Sequence, residues 1–172
     1  MSSTTMARRW FALLCALALL LVAPGASVAL AGTGPSVTGG GAGFFPATSP
    51  AFPGDRIQVE LTARSLPGGT FQGEFNIVHH RASGGLFAYL NGVVDCLTVA
   101  GNTAVVTGTI TQGFTALGIP PAGQRVSMTI VDGDPDTFGL DVSFISGDAI
   151  PPCTAAPLFT LPAQEGNFTV HP

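Results

Sequence analysis

Positive charge is scarce in this chain of 172 residues: it has six arginines and no lysine, against ten acidic residues. Arg8 and Arg9 fall in a segment that reads as an export leader, and without it four arginines face ten acids, a formal charge of −6. A surface of that sign attracts neither nucleic acid nor anionic membrane, which makes both poor partners. The missing lysine, beside abundant alanine and glycine, reads as base-composition bias and not as mechanism. Beyond Val22 no apolar run approaches the ~20 residues that cross a bilayer, so no span is expected after leader removal. No window there carries apolar residues at helical spacing over ten or more positions, which argues against a helical domain. A G-x-S-x-G nucleophile elbow is also missing, leaving serine catalysis little support.

What is present begins with the leader. Arg8-Arg9, the apolar stretch Trp10 to Val22, the Pro24-Gly25 break and the small residues of Ala29-Leu30-Ala31 predict a secretory signal over 1–31, cleaved after Ala31. The twin-arginine signature is partial, and Cys15 lacks the small preceding residue of a lipidation site, so the general secretory route is expected. The remainder, 32–172, fits one domain with a core of its own.

Two cysteines, Cys96 and Cys153, lie beyond the leader, and an oxidising compartment makes them a disulfide pair. Closing a loop of that length stabilises a fold by roughly 4 kcal/mol in the chain-entropy description. Free thiols serving as metal ligands or nucleophile are the alternative, and no histidine is near either cysteine in sequence.

Residues 32–53 are rich in Gly, Pro, Ser and Thr, which predicts a loose arm or an irregular edge strand. From residue 54 the pattern becomes that of a β domain. Ile57, Val59, Leu61 and Ala63 alternate with polar residues, as do Phe71, Gly73, Phe75 and Ile77. "GLFAYLNG" reads as a short strand of its own. "VVDCLTVAGNTAVVTGTI" reads as a hairpin turning on Gly101-Asn102, which pairs Val99 with Ala104 and Leu97 with Val106. That register puts Cys96 on the opposite face beside Thr107, so its disulfide should staple the Pro-rich "AIPPCTAAP" loop to the outside of the sheet. Val126, Met128 and Ile130 share one face, Phe138, Leu140, Val142 and Phe144 another, and "GNFTVH" closes the chain as a strand. About eight strands in one domain predict an all-β fold, an antiparallel β-sandwich, with a closed β-barrel as alternative.

The succession "GEF", "CLTVAGNTAVVTGTI", "VSMTIVDGDPDTFGL" and "GNFTVH" resembles a family of secreted bacterial β-domains, the post-COAP type, over Phe71 to His171. The chain departs from that pattern in a shorter acidic turn and in the cysteine-bearing loop before the last strand. The resemblance implies an exported all-β module, often one part of larger surface proteins, without an established activity.

Three kinds of site can be weighed. Asp132, Asp134 and Asp136 in "VDGDPDTFGLDV" have a spacing at which a curled loop turns oxygens toward one calcium ion. The EF-hand pattern fails, because Thr137 and Ser143 stand where Gly and Glu are required, and Asp141 should point outward some 10 Å along the next strand. The competing reading is a hairpin turn whose carboxylates cap amides. His79 and His80, being adjacent in a strand, face opposite ways; a zinc site would need one of them with His171 and a carboxylate. Glu60 and Glu74 are the nearest approach to a hydrolytic carboxylate pair. Asn167-Phe168-Thr169 fits a glycosylation sequon but sits in strand sequence. The expectation is a secreted or cell-surface monomer of structural or binding role, without cofactor, whose partner is an extracellular protein or glycan. A secreted hydrolase and a calcium-stabilised adhesion module are the alternatives.

Overall fold

The computed structural model describes residues 34–155 and 157–172, so the expected leader lies outside the described residues. Nine strands follow in order: β1 Ser36–Phe44, β2 Arg56–Leu66, β3 Thr70–His80, β4 Leu86–Ala100, β5 Thr103–Thr115, β6 Arg125–Val131, β7 Thr137–Val142, β8 Phe159–Pro162 and β9 Glu165–His171. One helical turn, α1 Ser143–Ser146, follows β7. The expected all-β antiparallel architecture is what the molecule has, in the form of one continuous sheet of order β8-β7-β6-β5-β4-β3-β2-β1-β9.

Covalent geometry dictates the shape of that sheet. Neighbouring strands are about 4.8 Å apart, so a flat sheet would hold its two outermost strands roughly 38 Å from each other. Here those strands, β8 and β9, are consecutive in the chain with only Ala163 and Gln164 between them. Two residues span about 10 Å. The sheet therefore curls into an open half-barrel, its inner face folded onto a shared core in which Val59, Val106, Met128, Ile130, Phe138 and Phe168 are fully buried.

The Gly101 turn sets the hairpin in the expected register, Val99 opposite Ala104, Leu97 opposite Val106 and Cys96 opposite Thr107. "GLFAYLNG" is not a separate strand but the first half of the 15-residue β4. Residues 36–44 are neither a loose arm nor an edge: β1 pairs with β2 on one side and β9 on the other. Glycine makes this possible. Gly39 has φ +134° and a Cβ there would collide with the Asn167 carbonyl, while a Cβ on Gly41 would lie 2.8 Å from the Phe168 ring. The strand expected to reach Phe144 stops at Val142, where α1 begins, and "FTLP" forms the unexpected β8.

A candidate ligand site at the apolar end of the half-barrel

Strands β1, β3 and β7 end, and β2, β4 and β8 begin, at one end of the half-barrel. There the chain places aromatic residues at strand termini: Phe45 just after β1, Phe87 in β4, Phe159 at the start of β8, with Phe52 on the loop between β1 and β2. Their rings converge on His79, which continues the inward phase of Phe71, Phe75 and Ile77 along β3. Ring centroids lie 5.6 Å from His79 for Phe45, 4.8 Å for Phe52 and 4.7 Å for Phe87. Phe45 also meets Phe159 edge-on at 4.7 Å. These side chains, with Leu90, Leu140 and Ile145, enclose a cavity of about 350 Å³. Its size is that of a small-molecule site, and its walls are apolar apart from His79 and Ser49.

His79 is held by Asp55. Nε2 lies 3.0 Å from Asp55 Oδ2, and Asp55 Oδ1 accepts the Ala82 amide at 2.8 Å, both side chains being buried. Burial among apolar rings pushes the His79 pKa below the ordinary histidine range; the Asp55 hydrogen bond and charge oppose that shift, and Arg81 and His80 add to it. A neutral imidazole bonded to a carboxylate through Nε2 donates its proton there, leaving Nδ1 as an acceptor. Among the described residues Nδ1 has no partner. Arg81 caps the outer edge, its guanidinium 4.5 Å from the Phe87 ring centroid. Ser49 lines the cavity but makes no hydrogen bond to His79, donating nothing toward a nucleophile–base pair.

The residues singled out from sequence lie elsewhere. Asp136 is buried, Oδ1 accepting the Gly133 amide at 2.8 Å and Oδ2 the Phe168 amide at 2.7 Å. Asp132 Oδ2 accepts the Val170 amide at 2.9 Å. Both carboxylates thus cap amides of β9 that no strand pairs, joining the β6–β7 turn to the far end of the sheet. Asp134 is exposed. Asp141 does face outward from β7, yet it is only 5% exposed, because a loop covers it. His79 and His80 do point to opposite faces, and His171, paired with Ser36, lies at the other end of the strands from His79. Glu60 and Glu74 are diagonal neighbours on the outer face, each exposed in a broad polar groove with Asn76 and Asn91. Asn167 lies within β9 and donates to the Phe168 carbonyl.

The disulfide joins Cys96 and Cys153 with 5.3 Å between Cα atoms. It straps the 148–155 segment over the outer face, where Ser127 donates to the Thr154 carbonyl at 2.6 Å and the Cys153 amide to Thr107 Oγ1 at 3.1 Å. Arg125 braces the strap from below, Nε donating to the Ile150 carbonyl and its other nitrogens to Asp95. That pairing holds the Asp95 carboxyl below its usual range despite the opposing effect of burial.

Sequence reasoning missed Asp55 and the four phenylalanines. The available signal was a histidine on the apolar phase of β3; its partners come from the β1–β2 loop (Phe45, Phe52, Asp55), which has no periodicity of its own, and from the first residues of β4 and β8 (Phe87, Phe159). Comparison with protein-family models, curated proteins and solved structures finds no match. Among the described residues no cluster of three or more metal-ligating side chains occurs, and no helix is long and apolar enough to cross a membrane.

Proposed function

We propose that this chain is an exported binding module, of the post-COAP type it resembles, that takes a small apolar ligand into the end of the half-barrel. The observation carrying this reading is the aromatic cavity of about 350 Å³ with a single unpartnered acceptor, His79 Nδ1, among its walls. Apolar walls supply affinity by removing hydrocarbon surface from water, at roughly 25 cal/mol per Å². His79 Nδ1 supplies orientation, selecting a ligand with a hydroxyl or N–H at one end. A cavity this apolar suits recognition more than catalysis, and the disulfide accords with residence in an oxidising compartment.

N-phenyl-1-naphthylamine, an apolar amine probe, tests the reading. Its fluorescence should rise saturably with one site per chain and be displaced by small aromatic alcohols. Ala51→Trp, at the exposed rim of the cavity, should abolish binding without loss of fold. Non-saturable binding, or binding unaffected by Ala51→Trp, overturns the proposal. Glycan binding is the second reading, favoured by the outer groove where Glu60, Glu74, Asn76, Asn91 and Gln112 offer hydrogen-bonding groups in one patch. It predicts oligosaccharide retention that Glu74→Ala abolishes and Ala51→Trp leaves intact.

A further inference from the structure

The strap over the outer face borders a second cavity, separate from the apolar one. Asp141 is 5% exposed, and its Oδ1 is fully enclosed without any hydrogen-bond partner. A buried carboxylate oxygen lacking a donor is costly unless a positive charge meets it. No side chain does so among the described residues. Arg125, on the neighbouring strand, turns its guanidinium to Asp95 and the Ile150 carbonyl. Asp141 instead borders a cavity of about 370 Å³ together with Asp148, Ser127 and the strap residues Ala149, Pro151 and Thr154. The polar side chains there are two carboxylates and the hydroxyls of Ser127 and Thr154. Ser127 Oγ gives its proton to the Thr154 carbonyl and so presents lone pairs to the space.

We propose that the cavity between β7 and the disulfide-held strap binds a calcium ion, with Asp141 and Asp148 as its charged ligands. All the side-chain donors are oxygens, which suits a hard cation, and calcium tolerates an irregular cage completed by carbonyls and water where magnesium demands a near-ideal octahedron. Two carboxylates give a weak site, with Kd on the order of 10⁻⁴–10⁻³ M, the strength of extracellular calcium modules. The covalent strap lowers the ordering cost by holding one wall in place.

Thermal unfolding of the oxidised protein in chelator and in 10 mM calcium chloride, with calorimetric titration of the same metal, is the test. A ligand bound only by the folded state raises the midpoint, here by roughly 4–10 °C, at one ion per chain. Asp141→Asn should melt cooperatively in chelator and lose the calcium shift. Asp148→Asn, at an exposed position outside the strands, should bind about tenfold more weakly. The double variant Asp132→Asn, Asp134→Asn should keep the shift between calcium and chelator. Absence of any shift and of binding heat in the parent protein overturns the proposal. So does a shift that survives in both strap variants, or one lost only with the acidic-turn substitutions.

Discussion

Asp136 carries more of the stability than any other side chain of the acidic turn, because its two oxygens take two amides in a buried setting. Hydrogen bonds to charged groups contribute about 1.5–3 kcal/mol each, so Asp136→Ala should lower unfolding free energy by about 3 kcal/mol or more. Asp134→Ala, at an exposed position with no hydrogen-bond partner among the described residues, should stay within about 0.5 kcal/mol. Urea denaturation of the two variants separates the clasp from a merely solvated turn. His79 adds a pH dependence of defined sign. Its pKa is lower folded than unfolded, so the unfolded chain binds the extra proton and stability falls as pH drops through the ordinary histidine value of about 6.5. One proton changes unfolding free energy by at most about 1.4 kcal/mol per pH unit. Between pH 7.5 and 5.5 the parent should lose stability that His79→Gln does not lose, measured as the difference between their denaturation curves.

At the scale of elements, β4 shows why alternation misled the reading of strand boundaries. Its inward residues run Ala88, Leu90, Gly92 and Val94, then change phase to Leu97 and Val99 because Asp95 is an extra residue that the ladder with β5 skips. A period-2 pattern that shifts phase reads as two strands, although the backbone never stops pairing. The bulge also aims Asp95 at Arg125, Thr107 and Thr109, tying β4, β5 and β6 on the outer face. The same hairpin registers Cys96 for the strap, and that was legible because the Gly101-Asn102 turn and the facing β-branched residues admit one pairing. Replacing both cysteines by serine should cost about 4 kcal/mol by the loop-closure argument. Chemical denaturation of the double variant, compared with the oxidised parent, checks it, and the reduced parent should match the variant.

For the whole molecule the decisive segment is 157–172, whose first strand pairs with β7 and whose second pairs with β1. Removing it would bare two strand edges and take Phe168 and Leu161 out of the core. A chain ending at Ala155 should show no cooperative unfolding transition and should aggregate on refolding, read by calorimetry and light scattering. Local chemistry determined much of this protein: the inward phase of Ile57 to Ala63 and of Phe71 to Ile77, the hairpin register, and the outside placement of Cys96. Each rests on the two-residue period of a strand or on a turn residue, which neighbours along the chain set by themselves. Tertiary structure alone decided the rest. It made the Gly-rich 36–44 segment an inner strand, with β9 packed so closely on Gly39 and Gly41 that a side chain at either would collide with it. It brought Asp55, on a loop, to His79, and converted Asp141 from an outward residue to a buried one by laying the strap across it. The aspartates of the β6–β7 turn became a clasp because their amide partners lie more than thirty residues away. No periodicity encodes such a distance.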